Sequence, residues 1–196
     1  RSDVEIQNEI EKITNNKTAI EKYNTHIQGL QHEIDKLKDT IKDKDGVNDK
    51  IDKLGNFQAQ FQSKLKECNK HQKFYEDNDN CPTCKQVLSN KQELIADNNK
   101  QVMKWNQALE DVQREIQTLS GRLNKIKSIE QDMRTTEIDI AKFGQSKVEL
   151  NNINTKLAHK IEELKKQSSE DGEALGKLRQ LEEEHKEKEN TKLTKV

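Results

Sequence analysis

Two long stretches of the chain place apolar residues in alternating steps of three and four. The first runs Ile6, Ile10, Ile13, Ile20, Ile27, Leu30, Ile34, Leu37 and Ile41, with polar Lys17 and Asn24 interposed, and resumes at Val47, Ile51, Leu54, Phe61, Leu65 and Cys68. The second runs Val102, Trp105, Leu109, Val112, Ile116, Leu119, Leu123 and Ile126, then Met133, Ile140, Phe143, Leu150, Leu157, Ile161 and Leu164. A repeat of about 3.5 residues lines one stripe of a helix, and such a stripe leaves water only by meeting another helix. The pattern predicts two long helices, over 1–77 and 90–166. It is poorest around Asp43-Lys44-Asp45-Gly46. Gly46 and Gly121 would fall at the same height of a paired structure, which suggests a joint softened on both sides, since each glycine weakens a helix by roughly 1 kcal/mol relative to alanine.

The segment between the stripes stops one helix and starts another. Asp77-Asn78-Asp79-Asn80 is followed by Cys81-Pro82-Thr83-Cys84, which contains the single proline of the chain. Asx runs and proline end helices. Ser89 with Gln92, or Asn90 with Glu93, can satisfy the first free N–H groups of the next helix as a capping box. A connection over 78–89 between two heptad-patterned helices favours a hairpin, in which residue i faces a residue near 165 − i. The expected fold class is therefore all-α: a long antiparallel two-helix coiled-coil hairpin with a Cys-Pro-x-Cys loop at its apex. The segment 167–196 has no counterpart in the first arm. It is expected to be a polar extension that is frayed or lacks its partner, with a short stripe at Leu175, Leu178 and Leu181.

Composition agrees with narrow seams. Charged residues make up 36% of the 196 residues and hydrophobic residues only 30%, too little apolar material for a compact core of this length. No run of apolar residues is long enough to span a membrane, and Arg1-Ser2-Asp3-Val4-Glu5 has no signal-peptide shape. The formal net charge is −1 and its signs are interspersed, with no basic block to track a phosphate backbone, so direct nucleic-acid binding by this segment is not expected. No nucleotide-binding Gly-Lys loop, catalytic triad or paired carboxylates in a plausible pocket occur, and no enzyme activity is expected of these residues.

The chemistry concentrates in the cysteines, of which there are three. Without a secretory signal they point to a reducing compartment, where a close pair more often holds metal or does redox work than forms a structural disulfide. Two thiolates separated by two residues reach one zinc ion while the backbone N–H groups of the turn point at the sulfurs. Structural zinc takes four ligands, and Cys81 with Cys84 supplies two. Four completions follow. A second copy of the loop could bring its own Cys81 and Cys84, giving two ligands from each of two chains; an exposed loop at the end of a rod favours this. Cys68-x-x-His71 could complete the site within one chain, although Cys68 falls on the seam and lies roughly 20 Å of helix away from Cys81. The pair could be a thiol–disulfide redox site, although no strand pattern supports a thioredoxin-like context. It could also be inert, the chain being a plain coiled-coil spacer.

Cys81-Pro82-Thr83-Cys84 between two heptad-patterned arms resembles the zinc hook of the SbcC-type ATPases. These are the SMC-like subunits of double-strand-break processing nuclease complexes, phage recombination endonuclease large subunits among them. The specific likeness is confined to the loop and its flanking helices. It implies that Cys81 and Cys84 bind zinc jointly with a second hook, making a homodimer that tethers two complexes and the DNA they hold. It further implies a parent protein with a nucleotide-binding head, a nuclease partner and a role in DNA repair and recombination, located in the cytoplasm of a bacterial or phage-infected cell or in a nucleus. None of the head motifs lies in this chain, so these residues read as a structural fragment.

Overall fold

The computed structural model describes residues 1–195; Val196, the last residue of the expected C-terminal extension, lies outside them. The described residues form three helices, α1 (Ser2–Thr40), α2 (Lys44–Asp77) and α3 (Lys91–Leu193), and no strand. One isolated bridge, Asn80 with Val87, is the only extended pairing among them. None of the helices is long and apolar enough to cross a membrane. The chain divides into two compact units, one of Arg1–Glu33 with the chain from Thr135 onward, the other of Ile34–Arg134.

In the first unit α1 meets the later part of α3. Ile6 and Ile161 are buried. Asn16 donates to Asn154 across 2.8 Å, and the Phe143 ring packs on Tyr23 at 5.7 Å and edge-on to His26 at 4.6 Å. One seam position differs from expectation. Ile10 is 38% exposed and Glu9 is 3% exposed in its place. Steps of three and of four from Ile6 are equally good helix geometry, so the apolar pattern alone selects Ile10. The facing residue decides instead: Lys160 brings its ammonium to 2.9 Å from the Glu9 carboxylate, and Lys12 adds a second contact at 3.3 Å. The hydrogen bond from Lys160 holds the Glu9 carboxyl below its ordinary value, against the opposing effect of its burial.

In the second unit residues facing each other on α2 and α3 come in reverse order along the chain. Asn98 donates to the carbonyl of Cys68 at 2.8 Å, Phe61 packs on Trp105 with centroids 5.4 Å apart, and Asp43 pairs with Arg122 at 2.7 Å. Of the seam residues read from the sequence, Ile34, Val47, Cys68, Val112, Ile126 and Met133 are buried and the others are half-buried, while Asn98, outside the apolar stripe, is buried with them. Trp105 is core packing, as its place in the stripe implies.

The expected single helix over 1–77 is broken at Ile41–Asp43, just before Gly46. Gly46 and Gly121 both lie inside helices, and α3 passes Gly121 without interruption. The helix is interrupted on one side only, and hydrogen bonds bridge the interruption. Ile41 and Lys44 donate to the carbonyls of Lys38 and Ile41, each at 3.2 Å, and α2 begins with Val47 donating to Asp43 at 2.8 Å. Arg122 closes the gap from α3. Its guanidinium donates to the Thr40 carbonyl at 2.6 Å and to both Asp43 carboxylate oxygens at 2.7 and 2.9 Å. One side chain thus caps the end of α1 and engages the residue that precedes α2. Asp43 makes no side-chain capping bond of its own, and the guanidinium beside it holds its carboxyl below the ordinary value. Lys44 pairs with Glu130 at 3.0 Å two turns further along α3. Arg122→Ala leaves the last carbonyls of α1 without this donor. Amide exchange at Lys44 and Val47 is expected to quicken by about tenfold while exchange around Cys68 stays unchanged. Hydrogen exchange followed by mass spectrometry checks this, and unchanged rates at the break would assign its order to packing alone.

The segment 167–195 continues α3 as helix to Leu193, and its side chains are exposed throughout. Leu175, Leu178 and Leu181 of the short last stripe are 55–63% exposed. No partner covers them among the described residues.

Candidate metal-binding loop

The chain between α2 and α3 is held by its own backbone. Asn78, extended at φ −132 and ψ 129, ends α2, and its side-chain amide donates back to the Phe74 carbonyl at 2.9 Å. Leu88 then donates to Asp79 at 2.9 Å, and Cys81 donates to Gln86 at 2.8 Å, so the two limbs of the loop run side by side. Lys91, the first residue of α3, reaches back to Asp79 at 3.0 Å. Asn90 accepts the first helical bond, from Leu94 at 3.0 Å. These contacts follow from the residue types noted above: Asx side chains stop α2, and proline sets the turn that the pairing then closes.

At the head of the loop Lys85 donates to the carbonyl of Cys81 at 2.7 Å, closing a five-residue turn around Pro82, Thr83 and Cys84. Closure requires a left-handed backbone at Lys85, with φ 58. For a residue with a Cβ this costs roughly 1–2 kcal/mol. The turn aims its N–H groups inward. The sulfur of Cys81 takes a hydrogen bond first from the backbone N–H of Cys84 and then from that of Thr83, with the Cys84 thiol and the Thr83 hydroxyl also in reach, and these lower its thiol against the opposing effect of burial. Cys81 is half-buried, Cys84 is exposed, and neither is in a disulfide.

This arrangement fits half of a tetrahedral thiolate site. Two sulfurs are adjacent, and the N–H groups that stabilise the thiolate form of Cys81 are those that accompany metal-bound thiolates. Among the described residues no group of three or more His, Cys, Asp or Glu side chains is placed to hold a metal ion. Cys68 is 7% exposed in the helical seam, its carbonyl engaged by Asn98, which also donates to Gln72 at 3.2 Å. The His71 ring lies 6.5 Å from that of Tyr75. The structure does not bring Cys68 or His71 to Cys81 and Cys84.

Two features escape a reading of the sequence. Asn98 gives no apolar signal yet occupies a buried seam position. Lys85 stands where a glycine would have announced a left-handed turn. No protein-family model matches the chain, and comparison with curated proteins and with solved structures finds no significant match.

Proposed function

We propose that this chain is a structural zinc-dependent dimerisation module: an antiparallel coiled-coil hairpin whose loop offers Cys81 and Cys84 as half of a site that a second copy completes. The observation that carries the reading is the turn itself. A backbone that directs the N–H groups of Thr83 and Cys84 at the Cys81 sulfur favours its thiolate, and beside it the exposed Cys84 offers a second sulfur to the same cation. Bound zinc supplies structural cross-linking here and no catalytic chemistry. Binding releases the thiol protons, and the prior stabilisation of the Cys81 thiolate lowers that cost near neutral pH. Structural zinc sites in peptides bind with about 10–16 kcal/mol, of which association of two chains offsets a part.

The resemblance to SbcC-type SMC-like proteins extends the proposal. The parent protein is then a nucleotide-dependent ATPase subunit that works with a nuclease on DNA ends in the cytoplasm or nucleus, and the hook tethers two such assemblies. DNA contacts and catalysis belong to the parent and not to this segment.

Native mass spectrometry of the 196-residue chain, with and without a strong chelator, tests the core of the proposal. The expected species is a dimer carrying one zinc ion that becomes an apo monomer on chelation. A monomer carrying one zinc would transfer the site to Cys68 and His71, and a metal-free species under zinc-replete conditions would leave a coiled-coil spacer.

A further inference from the structure

Lys85 pays a backbone penalty that its position does not require a lysine to pay. The left-handed φ of 58 is needed because the carbonyl of Cys81 must accept from Lys85 while the N–H of Cys81 donates to Gln86. Both contacts are between backbone atoms, and position 85 enters only the first, through its N–H. Glycine would make them without strain, and asparagine with less. A strained non-glycine residue beside a candidate site is grounds for asking what its side chain does.

The side chain is exposed and has no ion-pair partner among the described residues. The other cation of the loop region, Lys91, is already engaged by Asp79 at 3.0 Å. Lys85 also follows Cys84 directly in the chain, on a flexible four-carbon stem. Two chains sharing a zinc ion through four thiolates would leave an excess of negative charge that a dipositive ion does not cancel. Each loop would face the thiolates of the other. The N–H groups of Thr83 and Cys84 offset part of that charge as dipoles, and Lys85 is the one cationic side chain in the loop between α2 and α3.

We infer that Lys85 is the counter-charge of the shared site, its ammonium stabilising the four-thiolate centre formed with a second copy of this chain. This rests on the zinc-dependent dimer proposed above. Lys85 is a positioning and charge-compensating residue and does not ligate the metal.

The test compares Lys85→Gly, Lys85→Asn, Lys85→Arg and the unsubstituted 196-residue chain. Zinc affinity is measured by competition with a chromophoric chelator, and oligomeric state by sedimentation equilibrium. Lys85→Gly relieves the backbone, so a purely structural role predicts equal or tighter zinc-linked dimerisation. The counter-charge role predicts the reverse: zinc affinity of the dimer falls by about tenfold to hundredfold in the glycine and asparagine variants and is restored by arginine. The deficit narrows as salt rises toward molar concentration, because added ions screen the same charge. A zinc-linked dimer that is as tight in Lys85→Gly as in the unsubstituted chain overturns this inference and leaves the dimer intact. Absence of any zinc-linked dimer in the unsubstituted chain overturns both.

Discussion

Serine at either Cys81 or Cys84 is expected to abolish zinc-linked dimerisation while leaving the helical content unchanged. In a site built from two copies, one substitution in the chain removes two of four ligands at once. A serine hydroxyl remains protonated near neutral pH and is a poor ligand for a cation that favours thiolate. The change is therefore a loss of the zinc-bound species and not a graded weakening. The helices should not register it, because the contacts that hold α2 to α3 lie elsewhere: Phe61 on Trp105, Asn98 on the Cys68 carbonyl, Lys44 on Glu130. Circular dichroism of the two variants should overlay that of the unsubstituted chain, with only native mass spectrometry and light scattering set apart. Cys68→Ser provides the discriminating control. Cys68 is buried in the seam, so that substitution should reduce thermal stability and leave zinc stoichiometry intact. Loss of zinc in Cys68→Ser together with retention in Cys84→Ser would refute the shared site.

What could be read from the sequence, and what could not, follows from how each feature is encoded. The seam was legible because apolar residues recur with the helical period, and Val47, Val112, Ile126, Met133 and Ile161 are buried as the stripe requires. The end of α2 was legible because Asx residues and proline act locally, and the start of α3 because candidate capping residues, Ser89 and Asn90, stand just before it. Polar seam positions were not. Glu9, Asn16, Asn98 and Asn154 sit toward the partner helix because of what faces them, and a facing residue many positions away leaves no mark on the local pattern. The break at Ile41–Asp43 was legible only as a weakening of the stripe. The side chain that bridges it, Arg122, stands at a sequence separation of 79 from Asp43. The loop divides in the same way. The two cysteines and their spacing declare a ligand pair, whereas the left-handed backbone at Lys85 follows from closure of the turn and is disguised by a lysine.

Ile126→Ala is expected to be among the most destabilising single substitutions in the seam. Most seam residues stay half-buried, as expected where a helix is covered on one side only. Among the described residues Ile126 alone is fully buried, at 0% exposure, while Val112 and Met133 retain 8% and 9%. It stands one turn beyond Arg122 and one turn before Glu130, the two α3 residues that bind the break between α1 and α2. Its burial coincides with the height on α3 from which Arg122 and Glu130 reach the interruption between α1 and α2. Truncation to alanine removes buried methyl groups and leaves a cavity that the pinned backbone resists closing, a loss of about 2–5 kcal/mol. Ile126→Val should lose only about 0.5–1.5 kcal/mol. Leu178→Ala, at a position 58% exposed, should stay within about 0.5 kcal/mol of the unsubstituted chain. Urea denaturation in chelator measures all three without a contribution from metal-linked association. A loss in Ile126→Ala no larger than in Ile116→Ala would mean that burial energy is spread evenly along the seam and that the break is not an anchor. A loss in the expected range would identify the interruption of the first arm as the point where it is held most firmly, the opposite of what its weak heptad pattern suggests.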